Sequence, residues 1–174
     1  MAFMETLTAI NGVISIWEGI SSLGNAFNNR DGVLIAYKYE IRSNLNLLKD
    51  VNFDALANTD VSSAEFRNLI MCLQTQIGAS ILYDSNRKYH KSFKDAITRI
   101  GVNIVIDDAK EEAEDGVENL FKAMQFSVDK IEHLKRLVIC ANEGGSLLNN
   151  FNLRTRVNNI FKSLKEISIG LQKV

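Results

Sequence analysis

The chain contains no proline, although about one residue in twenty is proline in an average protein. A proline inside a helix costs about 3 kcal/mol because it removes a hydrogen bond and clashes with the preceding turn. Nothing of this kind interrupts the 174 residues. Long helices are therefore permitted wherever the spacing of apolar residues supports them.

The chain also lacks an excess of charge of either sign. Its 20 lysines and arginines oppose 21 acidic residues, which gives a net charge of −1. We do not expect a nucleic-acid partner, since a general nucleic-acid binder needs an overall positive field. The hydrophobic fraction of 46% is that of a globular protein and excludes disorder through low hydrophobicity. Cys72 and Cys140 lie in apolar sequence and are expected to be reduced thiols in the core.

Groups suited to catalysis or metal binding are scarce. Of the two histidines, His90 stands among basic residues and His133 beside an apolar stripe, so both are expected at the surface or its boundary. The spacings of zinc, di-iron and EF-hand ligands are absent from the sequence, and so are glycine-rich phosphate loops. The sequence thus predicts a non-enzymatic protein with no catalytic residue, no metal, no cofactor and no small-molecule substrate.

The first 27 residues are largely apolar. Apolar side chains recur there at intervals of three and four, which predicts a helix over about 3–27. Glu5 and Glu18 are the only charged side chains before Arg30. No basic leader precedes an apolar core, and polar residues interrupt every stretch long enough to span a bilayer, so we expect a cytoplasmic protein.

Three roles remain open for this predicted helix. It can be a core helix with Trp17 inside, an interface between copies, or a segment that leaves the bundle and enters a membrane. Its candidate surface for a partner or a membrane consists of Ile10, Val13, Ile16, Trp17 and Ile20.

Four further helices are predicted by the same spacing, over about 33–51, 62–100, 107–141 and 146–172. Ser62 and Glu65 form a capping box before the second of these, and Gly101 is a natural residue to end it. The alternative for residues 62–100 is two helices that are separated by a break near Asp84. The expected fold is all-α: one domain over residues 1–174, an antiparallel bundle of four to five helices, two of them long.

Charge is distributed unevenly along the predicted helices. Basic residues gather before Gly101 and acidic residues after it, an order that suits the helix dipoles and favours an antiparallel hairpin. The last helix has a basic character, which can serve an acidic partner, a membrane surface or a nucleic acid. Its candidate residues are Arg154, Arg156, Lys162 and Lys165.

Long amphipathic helices without a catalytic constellation are typical of proteins that act through protein–protein contact. We therefore expect a helical bundle that binds a protein partner or itself as a homo-oligomer. The alternative is a membrane-active bundle that permeabilises bilayers with its apolar N-terminal helix. A third hypothesis, an enzyme with an unfamiliar helical site, requires a polar cleft that holds a strongly shifted titratable group.

Overall fold

The computed structural model describes residues 31–58, 63–85, 87–101, 116–142 and 152–172. These ranges contain six α-helices and one 3₁₀ helix, and no strand, which confirms the all-α class. The helices are α1 (Gly32–Leu48), the 3₁₀ helix (Ala55–Asn58), α2 (Ala64–Cys72), α3 (Gln76–Tyr83), α4 (Lys88–Ile100), α5 (Gly116–Asn142) and α6 (Leu153–Gln172). That the whole chain is a single domain stays a prediction, because residues 1–30 lie outside these ranges.

The apolar stripe of each helix faces one shared core. Helix α6 packs against both α5 and α1. Ser127 lies opposite Ser163, while Leu134 shares a groove with Asn152, so α5 and α6 run antiparallel. The largest fully buried side chains include Tyr37, Phe93, Ile70, Leu120, Ile131 and Ile160.

The prediction of one long helix over 62–100 is wrong, because two breaks divide it into α2, α3 and α4. Leu73 ends α2 with an extended backbone at φ −65° and ψ 130°. Asp84 ends α3 in the same way at φ −61° and ψ 119°. The second break is the one that the two-helix alternative placed near Asp84. The first has no local cause, since Leu73, Gln74 and Thr75 include neither glycine nor proline.

Helix ends follow the sequence signals in part. Ser63 caps α2, because its hydroxyl oxygen accepts a hydrogen bond from the backbone N–H of Phe66 at 3.2 Å; Ser62 lies outside the described residues. Gly101 ends α4 with a left-handed φ of 72°, as predicted. Asp31 stands at the start of α1, where its carboxylate pairs with Arg99 rather than with the helix N-terminus.

Of the two long helices that were predicted, the second is confirmed from Gly116 onward as α5, and residues 102–115 lie outside the described part. Of the acidic residues that gather after Gly101, Glu118 lies in the described part, and the antiparallel charge hairpin stays a prediction. The expectation of two core thiols is wrong: Cys140 is exposed and Cys72 is only partly buried, and both are free.

Candidate functional site

Helix α1 carries three polar residues on its buried side, namely Glu40, Ser43 and Asn44. Glu40 lies among charged residues in the sequence, yet its side chain is only 2% exposed. Its charged neighbours in the sequence give no sign that Glu40 is buried. Glu40 follows the buried Tyr37 by three residues and precedes Asn44 by one turn. This helical spacing is the sequence signal that Glu40 lies on the buried side of α1.

Asn44 pairs with the backbone at the first break. Its amide nitrogen donates to the carbonyl oxygen of Gln74 at 2.7 Å, and its amide oxygen accepts from the N–H of Gln74 at 2.7 Å. Both backbone groups of Gln74 thus have partners outside a helix. This pairing replaces helical hydrogen bonds and explains why the chain can break at a buried position with no glycine or proline.

Glu40 provides the cap of α3. The backbone N–H groups of Ile77 and Gly78 donate to its two carboxylate oxygens at 2.7 and 2.9 Å. Thr75, at the N-cap position, makes no side-chain capping bond. A carboxylate suits a helix N-terminus, where N–H groups lack partners and the dipole is positive. A Cβ on Gly78 would lie 2.9 Å from Val128, so glycine permits this close approach.

Helix α5 contributes two further side chains to this hydrogen-bonded set. The Thr75 hydroxyl donates to the carboxylate of Glu132, and the Lys135 ammonium lies 3.0 Å from the same oxygen. Burial raises the pKa of Glu132, but the hydrogen bonds from Thr75 and Lys135 outweigh it, and the pKa is lowered. We call this connected set the polar junction; it consists of Glu40, Asn44, Gln74, Thr75, Glu132 and Lys135.

Glu40 is the most perturbed carboxyl of the junction. Burial raises its pKa from 4.5 to about 7, against the opposing effects of the two N–H donors and of Lys135. Burial and the charge of Glu40 likewise raise the pKa of Tyr37 well above its usual value. The carboxyl accepts hydrogen bonds from two backbone N–H groups and thereby caps α3.

This pKa predicts how stability depends on pH. Between 4.5 and about 7 the folded chain holds a proton on Glu40 that the unfolded chain has released. The stabilisation from Glu40 is therefore complete below pH 4.5 and declines as pH rises toward 7, by up to about 1.4 kcal/mol per pH unit. We expect urea unfolding at pH 5 and pH 7.5 to show that Glu40→Gln removes this decline. The wild-type chain and the Glu40→Gln variant differ only at this group, so the comparison isolates its contribution. Equal pH dependence of the two would contradict the prediction.

Two grooves flank α6 on the surface. The α1–α6 groove has a volume of about 330 Å³ and is lined by Lys38, Ile41, Arg42, Leu45, Asn46, Ser168, Leu171 and Gln172. The α5–α6 groove has a volume of about 510 Å³ and is lined by Phe126, Lys130, Leu134, Asn152, Thr155, Arg156, Asn159 and Ile160. Each groove has an apolar floor and basic side chains at its rim.

The structure places the basic residues predicted on the last helix at the surface. Arg154, Lys162 and Lys165 are exposed, and Arg156 is half-buried at the edge of the α5–α6 groove. The guanidinium of Arg154 forms an ion pair with Asp54 at 2.8 Å. The predicted N-terminal surface, Ile10, Val13, Ile16, Trp17 and Ile20, lies outside the described residues.

Neither histidine belongs to a polar site. His90 stacks on Phe121 with ring centroids 4.6 Å apart, and His133 is exposed. In the ranges that the structure covers, no three metal-ligating side chains lie close enough together to hold an ion. Among the helices described, none is sufficiently long and apolar to cross a bilayer. No protein-family model matches this chain, and no curated protein or solved structure is similar to it.

Proposed function

We propose that this chain is a non-enzymatic helical bundle that acts through protein–protein contact and self-associates through the basic face of α6. The observation that supports this most directly is an isoleucine in a basic setting. Ile169 is 50% exposed, and Lys162 and Lys165 precede it at helical spacing on the same exposed face. One exposed acid, Glu166, lies among them, so the bases outnumber the acid two to one. Exposed apolar side chains with a polar rim are typical of interaction sites.

The α5–α6 groove adjoins this face and extends it. Leu134 and Ile160 form its apolar floor, while Lys130 lies 5.5 Å from the ring centre of Phe126 at its rim. Phe126 is itself among the exposed large apolar residues. Such a surface fits an acidic segment that also carries apolar side chains, because both features find complementary groups.

A second copy of the chain supplies a segment of that chemistry. Residues 107–118 contain a single basic residue, Lys110, against Asp107, Asp108, Glu111, Glu112, Glu114, Asp115 and Glu118. The apolar residues Ala109 and Ala113 accompany these acids. A contact between the basic face of one copy and the acidic segment of another joins two different surfaces, which is compatible with a reciprocal two-fold dimer as well as with head-to-tail association.

Sedimentation velocity tests this proposal. The average mass of the wild-type protein should rise with concentration at low salt and fall when salt is added, since screening weakens exposed pairs. Lys162→Glu with Lys165→Glu should weaken association roughly tenfold, from lost pairs of about 0.2–1 kcal/mol each together with new repulsion. The matched control is Lys91→Glu with Lys94→Glu, two exposed bases of α4 with the same charge change. A wild-type chain that stays monomeric at every concentration would overturn the proposal.

The other hypotheses have less support. Permeabilisation of membranes depends on residues 1–29, which lie outside the described part, and it stays a prediction, as does a cytoplasmic location. An enzyme requires a cleft that reaches its titratable group, yet Glu40 is absent from the lining of both grooves.

A further inference from the structure

The α1–α6 groove has the features of a docking surface. Ile41, Leu45 and Leu171 provide apolar side chains, and the two charged residues in its lining, Lys38 and Arg42, are both basic. None of the basic residues of α6 named above belongs to its lining, so it is distinct from the surface proposed for self-association.

Two large apolar side chains lie beside this groove on α1. Ile35 is 43% exposed and Tyr39 is 47% exposed, one helical turn apart. Each stands three residues before a basic lining residue, Lys38 or Arg42, so the groove and these side chains form one continuous face of α1. An exposed apolar face of this kind, next to a groove with an apolar floor, indicates a surface that another segment covers.

The segment that precedes α1 matches this face in charge and in apolar pattern. Residues 1–30 lead directly to Asp31, the residue before α1. The charged side chains before Arg30 are both acidic, Glu5 and Glu18, whereas those of the groove are both basic. We propose that the apolar stripe of residues 1–29 docks intramolecularly in the α1–α6 groove, with the carboxylate of Glu18 toward Lys38 and Arg42.

The length of the segment permits this contact. The α1 residues that line the groove lie 7 to 15 positions beyond Asp31, which is about 10–22 Å along a helix. Thirty residues span about 45 Å even if all are helical. Because the segment is joined to α1, its effective concentration at the groove is in the millimolar range, which favours its own groove over that of another copy.

The chain provides its own probe, because Trp17 in the proposed stripe is the only tryptophan. In the full-length protein we expect a blue-shifted emission and quenching by acrylamide several-fold weaker than for free tryptophan amide, both independent of protein concentration. Ser168→Arg introduces a bulky cation into the groove and should shift the emission to the red and increase quenching. Asn159→Arg is the matched control, since it makes a similar change on the same helix but in the other groove.

A second variant avoids any disturbance of the bundle. Glu18→Lys removes the charge complementarity from the segment alone, and it should also increase quenching while the circular dichroism of the chain is retained. Three results would overturn the proposal. These are a solvent-exposed Trp17 in the wild-type protein, equal effects of the two arginine variants, and a blue shift that appears only at high protein concentration or only with anionic vesicles. A blue shift that requires high protein concentration would assign the segment to a second copy, and one that requires anionic vesicles would assign it to a membrane.

Discussion

Replacing Asn44 by leucine is expected to lower the free energy of unfolding by about 2–6 kcal/mol. Both hydrogen bonds from its side-chain amide go to the main chain of Gln74, at 2.7 Å, in a buried position. Leucine fills a similar volume but leaves an N–H and a C=O without partners and away from water. Each such orphaned group costs about 1–3 kcal/mol, so the loss is much larger than that of one average hydrogen bond.

The control is Asn68→Leu, the same change at an exposed asparagine of α2. It should alter stability by no more than about 0.5 kcal/mol, as surface substitutions usually do. Urea unfolding followed by circular dichroism measures both. If the two variants are equally stable, the pairing of Asn44 with Gln74 does not hold the first break.

Proline should destabilise the protein far more in the interior of a helix than in the first turn of a helix. Gln125→Pro lies at an exposed position in the middle of α5 and should cost about 3 kcal/mol or more, because the ring displaces the hydrogen bond to the preceding turn. Ala64→Pro should be nearly neutral. Ala64 is the first residue of α2, where no helical N–H is lost, and Ser63 before it is already extended at φ −60° and ψ 136°.

Thermal unfolding of the two proline variants provides the comparison, and both positions are exposed, so burial does not enter. A stable Gln125→Pro variant would mean that α5 is not continuous at this point. A strongly destabilised Ala64→Pro variant would instead contradict the N-terminus assigned to α2.

The parts of the fold that could be predicted are those determined by local spacing. The apolar stripes of α1, α5 and α6 face the core where the sequence placed them, and Gly101 ends α4 with a positive φ. The polar junction could not be predicted in this way. Its hydrogen bonds join Asn44 to Gln74 across 30 residues and Glu40 to Gly78 across 38. A charged residue in a helix also follows the solvated pattern unless a distant partner compensates for its burial.

The candidate surfaces likewise depend partly on local sequence and partly on tertiary structure. The basic character of α6 is visible in the sequence, whereas each groove is made by residues of two helices. In the α1–α6 groove these residues are far apart along the chain, such as Ile41 and Leu171. The proposed cover for the α1–α6 groove combines both kinds of information. The charges and the apolar stripe of residues 1–29 come from the sequence, and the surface that they fit comes from the structure.

The absence of proline, together with the apolar periodicity, determined that this chain is helical and which side of most helices is buried, because both depend on residues within one or two turns. It did not determine where the helices break. That was decided by tertiary structure, since the backbone at Gln74 leaves the helix where Asn44 and Glu40 of α1 offer replacement hydrogen bonds. Local sequence permits a helix at that point, and the packing of α1 against α3 makes the break more stable.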